Sequence, residues 1–182
     1  MSRTDDILLW MGEQPGAPVK TDRRKDLVMD SAINYYNKEN PKLSYTPGEL
    51  FLDNGAYSAN MQNLDLDLER IIDIQETLNP DRTIPFDYPF KGGMSAPVMQ
   101  KRWKETAKNI RYWQSSTNLD GKLVPSIHAW NKKSLLKNLK WIQKYGDSDY
   151  LAVGSIVNPE FTNYSGFFGD RQPNKNLIDM LS

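Results

Sequence analysis

Apolar positions along the 182-residue chain follow two alternating patterns. Short continuous apolar runs bounded by Gly, Pro or Asn predict buried strands, and longer stretches with apolar residues three and four apart predict helices. Strand-like runs begin at Ile7, Phe51, Ile84, Leu123 and Tyr150. Leu27, Ala32, Ile33 and Tyr36 predict a helix over residues 26–36. Leu64, Leu68, Ile71, Ile72 and Leu78 predict another, stopped by Pro80. Ser95 is placed to cap a long helix carrying Met99, Trp103, Ala107 and Ile110 on one side. Asn131 does the same for Leu135, Leu139, Ile142 and Tyr145, with Gly146 suited to the left-handed position at the helix end. The run over 150–157 is apolar almost throughout, which argues for burial on both faces, as in a parallel sheet.

Strand and helix therefore alternate up to a fifth strand. The expected fold class is α/β, built of parallel β/α units. It is either a complete five-stranded open sheet or a TIM-barrel-like fold cut off after its fifth strand, since a full barrel takes ~250 residues. The length suits a single domain over residues 1–182, and neither a linker nor an internal repeat divides it. No apolar stretch approaches the ~20 residues that span a bilayer, and the acidic start lacks signal-peptide architecture.

The polar residues that close three of the apolar runs turn this outline toward function. In parallel α/β proteins the C-terminal ends of the strands converge on one rim, where ligands bind. The three endings are Phe51-Leu52-Asp53-Asn54-Gly55-Ala56-Tyr57, Ile84-Pro85-Phe86-Asp87-Tyr88-Pro89 and Leu123-Val124-Pro125-Ser126-Ile127-His128-Ala129-Trp130. Asp53, Asp87 and His128 are expected to line one pocket. Two readings stand for each. Asp53 either caps an Asn-Gly turn or accepts paired N–H donors from a purine-like base, with Tyr57 as a stacking surface. Asp87 is either a surface residue in a proline-rich bend or a partly desolvated carboxyl between aromatics, raised in pKa unless donors or cations compensate. His128, the only histidine, is either a hydrogen-bonded core residue or a ligand contact. Gly154-Ser155 interrupts the last strand, where exposed N–H groups would donate to a ligand carbonyl.

Composition narrows the chemistry. The sequence has no cysteine, which excludes a thiol nucleophile, a disulfide or a thiolate zinc site within it and fits a reducing cytoplasm. One histidine excludes a histidine-based metal cluster. With 23 basic and 23 acidic residues, net charge gives no support to general nucleic-acid binding. Local basic faces over 101–111 and 132–144 either touch phosphates or are solvated helix surfaces. Lys91-Gly92-Gly93 resembles a generic anion nest, without P-loop or dinucleotide spacing.

Taken in order over about residues 49–157, these segments resemble the tRNA-guanine transglycosylase superfamily. The likeness is closer to its DNA-acting branch, which places 7-deazaguanine bases in DNA. Asp53-Asn54-Gly55-Ala56-Tyr57 is similar to the family's Asp-Ser-Gly-Gly-Phe, and Phe86-Asp87-Tyr88 to the segment of its base-recognising aspartate. His128 stands where the family has a glutamine, and Ala152-Val153-Gly154-Ser155-Ile156 resembles Ala-Ile-Gly-Gly-Leu. The resemblance implies a (β/α)8 barrel, of which this sequence matches the N-terminal part, and exchange of guanine through an aspartate nucleophile and a covalent glycosyl intermediate. By it, Asp53 is catalytic in base contact or proton transfer and Tyr57 stacks on the base. Asp87 and His128 face the base edge, and the N–H groups of Gly154 and Ser155 bind its carbonyl.

In the family the nucleophile and a cysteine-rich zinc site lie beyond the matched region. No cofactor is therefore expected within this chain, and base exchange is expected from a split or truncated enzyme completed by further sequence, a complementary chain or self-association. The expected function is a pentosyltransferase exchanging guanine in DNA or tRNA for a 7-deazaguanine base. Its expected place is the cytoplasm, the host's if the protein is viral. A non-catalytic accessory protein that holds a base or nucleic acid is the alternative, and an unrelated α/β hydrolase with an Asp/His pocket is a third.

Overall fold

The computed structural model describes residues 11–12, 27–91, 93–119 and 121–154. They form a mixed α/β fold of six short strands and four α-helices. The elements run β1 (Met11–Gly12), β2 (Leu27–Ser31), β3 (Glu49–Asp53), α1 (Ala56–Gln62), α2 (Leu68–Leu78) and β4 (Arg82–Thr83). They continue with α3 (Ala96–Ser116), β5 (Ser126–Ile127), α4 (Lys132–Tyr145) and β6 (Ala152–Val153). All pairings are parallel, β1-β2-β3-β4 in one ladder and β5-β6 in another. A parallel bridge between Thr83 and Leu123 links the ladders, so each strand neighbours the next in sequence. Among the described residues no barrel closes.

The segment over 26–36 corrects the helix expected there. Leu27 and Ala32 are five residues apart, which is off the helical period. Leu27-Val28-Met29 is instead a short continuous apolar run, and the strand it opens pairs with β3 through five registered residues, Leu27–Ser31. The chain then tightens into a 3-10 turn over Ala32–Tyr35, from which Ala32 and Tyr35 enter the core. The described residues thus hold six strands, not five, in a ladder of four and a ladder of two. The last strand is a second correction: Leu151, Ala152 and Val153 are half-buried, because β6 is an edge among the described residues. Of the first expected strand only Met11 lies within the described residues. Residues 155–157 of the last expected strand lie outside them.

The helices cover the sheet with apolar faces. Ile71 and Ile74 of α2 pack with Leu52, Trp113 and Leu119 in one cluster. Met99 and Trp103 of α3 pack with Phe90, Ile127, Leu135 and Ile142 in a second. A buried polar staple joins them to the strands. Gln75 Nε2 donates to Ile84 O at 2.9 Å and its Oε1 accepts from Trp113 Nε1 at 2.7 Å. Asn131 caps α4 in a reciprocal box with Ser134. Ser95 occupies the N-cap of α3 without a side-chain cap bond, and Gly146 remains right-handed, contrary to the expected left-handed end. Asn63 and Asn79 take that left-handed role after α1 and α2. Among the described residues no helix is long and apolar enough to cross a membrane.

Candidate functional site

The strand ends hold the chemistry. Ser31 and Asp53 are register partners at the ends of β2 and β3. Asp87 follows β4 on an extended segment, and His128 and Gly154 come directly after β5 and β6. Parallel pairing brings Asp53, Asp87, His128 and Gly154 to one rim.

Asp53-Asn54-Gly55 is a turn, but a strand-to-helix turn instead of a hairpin. Gly55 caps α1 with a left-handed backbone (φ 78°), and a Cβ there would lie 2.7 Å from Ile33 Cβ. Asp53 Oδ2 accepts from Gly55 N at 2.9 Å and from Ser31 Oγ at 3.3 Å. Asn54 Oδ1 accepts from Ala56 N at 2.7 Å. Its Nδ2 reaches across to Pro85 O at 2.8 Å and Asp87 Oδ1 at 3.0 Å. The turn therefore sets both its own carboxyl and the neighbouring one.

Asp87 is fixed from the other side by His128, whose Nε2 lies 2.6 Å from Asp87 Oδ2. The histidine is 1% exposed, whereas the Asp87 side chain keeps 14%. A ligand can reach the carboxylate and not the imidazole, so His128 acts through Asp87. Gly154 makes room for it: a Cβ would fall 2.1 Å from His128 Cε1. The N–H of Gly154 is given to Ile127 O at 3.0 Å. This corrects the expectation of a free donor there, because the ladder uses the group and the missing side chain seats the imidazole. Asn138 of α4 holds His128 O at 2.8 Å.

Helix α3 pins the backbone that carries Asp87. Arg102 Nη1 donates to Pro89 O at 2.7 Å, Thr106 Oγ1 accepts from Tyr88 N at 3.0 Å and Asn109 Nδ2 donates to Phe86 O at 2.9 Å. These residues fall at i, i+4 and i+7, one face of the helix. Asp87 is thus held at both carboxylate oxygens and along its main chain, a pre-organised acceptor with lone pairs remaining.

The two carboxyls are driven apart in acidity. Burial and then the charge of Asp87 push Asp53 up to about 6, against the donors of Gly55, Ser31 and Asn54. Burial also pushes Asp87 upward, but the charge and hydrogen bond of His128, with Asn54 and Ser126, outweigh it and hold the carboxyl below its ordinary 3.8. Ser126 Oγ is a buried polar atom with no hydrogen-bond partner among the described residues, near enough to Asp87 to help stabilise its charge. Near neutral pH one carboxyl is poised to exchange a proton and its neighbour is a fixed anion, a pattern typical of acid–base sites.

Tyr57 stands in the first turn of α1 and is 48% exposed, free to offer its ring to a ligand. Ser155 lies outside the described residues. Lys91 Nζ donates to Asn60 O at 3.0 Å, so the lysine of the expected anion nest is tied to α1. Four contributors were missed in the sequence: Ser31, Asn54, Ser126 and Asp30. Ser126 was visible in principle, since it shares a strand face with His128 by the period of two. Asp30 accepts from Asn34 Nδ2, Tyr35 OH and Tyr45 OH at 2.8, 2.6 and 3.0 Å, fixing the turn beside Ser31.

No protein-family model matches the chain, and no curated protein matches it significantly. The cysteine-rich zinc site of the resembled family does not fit this sequence, which has no cysteine. Among the described residues no group of three or more acidic or histidine side chains is arranged to hold a metal ion.

Proposed function

We propose that the strand-end cluster binds a guanine-like base and manages its proton during base exchange on a nucleic-acid sugar, as the resemblance to the guanine transglycosylases implies. The observation that carries this reading is the pairing of a carboxyl poised near 6 with a locked, partly accessible carboxylate at the same strand ends. A purine edge of the guanine type offers adjacent N–H donors, and Asp87 is a rigid acceptor for them. Asp53 is the catalytic group, moving a proton to or from the base as the glycosidic bond breaks and re-forms. Tyr57 is the stacking surface. His128 and Gly154 are positioning residues for Asp87.

The strand order supports reading the sheet as part of a barrel wall. In a barrel every strand neighbours the next, whereas a doubly wound sheet reverses direction at its switch point. The 7-deazaguanine and DNA assignments belong to the same proposal and rest on the resemblance alone.

Calorimetry with guanine and 7-deazaguanine tests the site, and incorporation of labelled guanine into DNA or tRNA tests the reaction. Binding by the native protein that falls at least tenfold in Asp87→Asn supports the site. Equal binding by both proteins refutes it. Binding without incorporation leaves the accessory, non-catalytic reading in its place.

A further inference from the structure

The outward faces of α3 and α4 meet in a groove of about 590 Å³ that the strand-end chemistry does not use. Helical periodicity sets its walls. Lys104, Lys108 and Arg111 fall at i, i+4 and i+7 along α3, and Lys133 and Lys137 at i and i+4 along α4. All five are exposed, and among the described residues no acidic side chain lines the groove. Four residues of helix advance about 6 Å, so each wall carries its cations in a regular row. In a chain with equal acidic and basic counts, a lining of one sign concentrates field locally.

The groove is also aromatic. Trp141 contacts it and packs edge-on against buried Trp103, with ring centroids 5.9 Å apart. Trp130 is half-buried at its edge and links it to the strand ends. The Trp130 ring lies 6.1 Å from Phe90, and Phe90 lies 5.2 Å from the His128 ring. The basic groove and the carboxylate cluster are therefore joined through one aromatic contact chain.

We propose that this groove binds single-stranded nucleic acid, with phosphates on the two cationic rows and bases against Trp130 and Trp141. Cations interleaved with aromatic platforms in a concave track are what a flexible strand requires. A bilayer surface favours a convex or flat basic face with exposed apolar anchors, and the groove is concave with a partly polar lining that includes Ser134 and Asn138. The proposal concerns strand binding alone and does not require base exchange. Its failure would leave guanine binding at Asp87, read by calorimetry, untouched.

The test is fluorescence anisotropy of the full chain with a labelled mixed-sequence DNA strand of about 15 nucleotides, within the site sizes known for such tracks. Five engaged cations give a slope of log K against log salt of about −3.5. Lys108→Glu with Lys137→Glu is expected to lower affinity at least tenfold and to flatten that slope, with circular dichroism unchanged because both side chains are exposed. Trp130→Ala is expected to lower affinity about 5- to 100-fold and leave the slope unchanged. The proposal is overturned by native binding that ignores salt, by undiminished binding in a folded double variant, or by tighter binding of a duplex of equal length. Preference for phosphatidylserine vesicles over the oligonucleotide overturns it as well. Should the double variant not fold, the native salt slope and Trp130→Ala still decide.

Discussion

Replacing Asp53 by Asn isolates the energetic cost of the poised carboxyl. The side chain keeps its shape, and an amide oxygen can still accept from Gly55 N and Ser31 Oγ, the two donors now at 2.9 and 3.3 Å. What disappears is the charge. The folded pKa stands at about 6 against an ordinary 3.8, and each unit of difference is worth about 1.4 kcal/mol. Ionised Asp53 therefore costs the folded state on the order of 3 kcal/mol at neutral pH. The sign follows from proton binding. A raised carboxyl costs nothing below its unfolded value, because both states are protonated there. The cost grows as pH rises from about 4 to 6 and is complete above about 7.

Urea unfolding at closely spaced pH values measures this directly. Asp53→Asn is expected to be about 1–3 kcal/mol more stable than the native protein at pH 7.5, the lower bound allowing for the stronger hydrogen bonds of a carboxylate. The gain should vanish near pH 4, while the proposed base exchange is expected to be lost throughout. Stability gained where function is lost is the mark of a strained functional group. A gain independent of pH, or a net loss at pH 7.5, would refute the account of Asp53 as a carboxyl destabilised by burial and by Asp87.

Asp87→Ala leaves His128 and Asn54 facing a missing acceptor and is expected to cost about 3–5 kcal/mol; combining it with His128→Ala should cost clearly less than the two singles added, measured as a double-mutant cycle. Because Asp87 is depressed below 3.8, its contribution is present above that value and lost as pH falls through the lower folded pKa; acid unfolding of Asp87→Asn should lack that limb. Gly154→Ala must displace the imidazole, with an expected loss of about 1–3 kcal/mol and a shift in the His128 ring resonances by NMR. Trp113→Phe strands Gln75 Oε1 in the core and is expected to cost about 1–3 kcal/mol in thermal or urea unfolding.

How much of this was legible in the sequence follows from which forces act locally. The strand ends were readable because a parallel sheet turns a linear pattern, an apolar run closed by a polar residue, into a spatial one. Asp53, Asp87 and His128 needed no side-chain geometry to be placed on one rim. The 27–31 strand was hard to read: Ala32, Ile33 and Tyr36 keep helical spacing while Leu27 falls off it, and the pairing with β3 that decides the matter is not local. Roles were harder than places. The same Gly154 that suggested a free N–H is a glycine for the sake of the His128 ring, a contact between residues 26 positions apart. Likewise Asn54 looked like turn chemistry, and it is, yet its amide also reaches Asp87.

That double duty bears on the site itself. A turn that caps a helix, positions one carboxyl and hydrogen-bonds another leaves little freedom for either group to relax. The acidity gap between Asp53 and Asp87 depends on that rigidity. If the two carboxyls could separate or gain water, their mutual repulsion would fall and Asp53 would return toward the ordinary carboxylate range. Asn54→Ala tests the link, since it frees Asp87 Oδ1 and Pro85 O together while leaving both carboxyls in the chain. The expected result is an Asp53 pKa moved from about 6 toward 3.8 in a carbon-detected NMR titration. An Asp53 titration unchanged in a folded Asn54→Ala protein would show that burial and the charge of Asp87 set its acidity without help from the Asn54 side chain, and that the turn positions the carboxyls without tuning them.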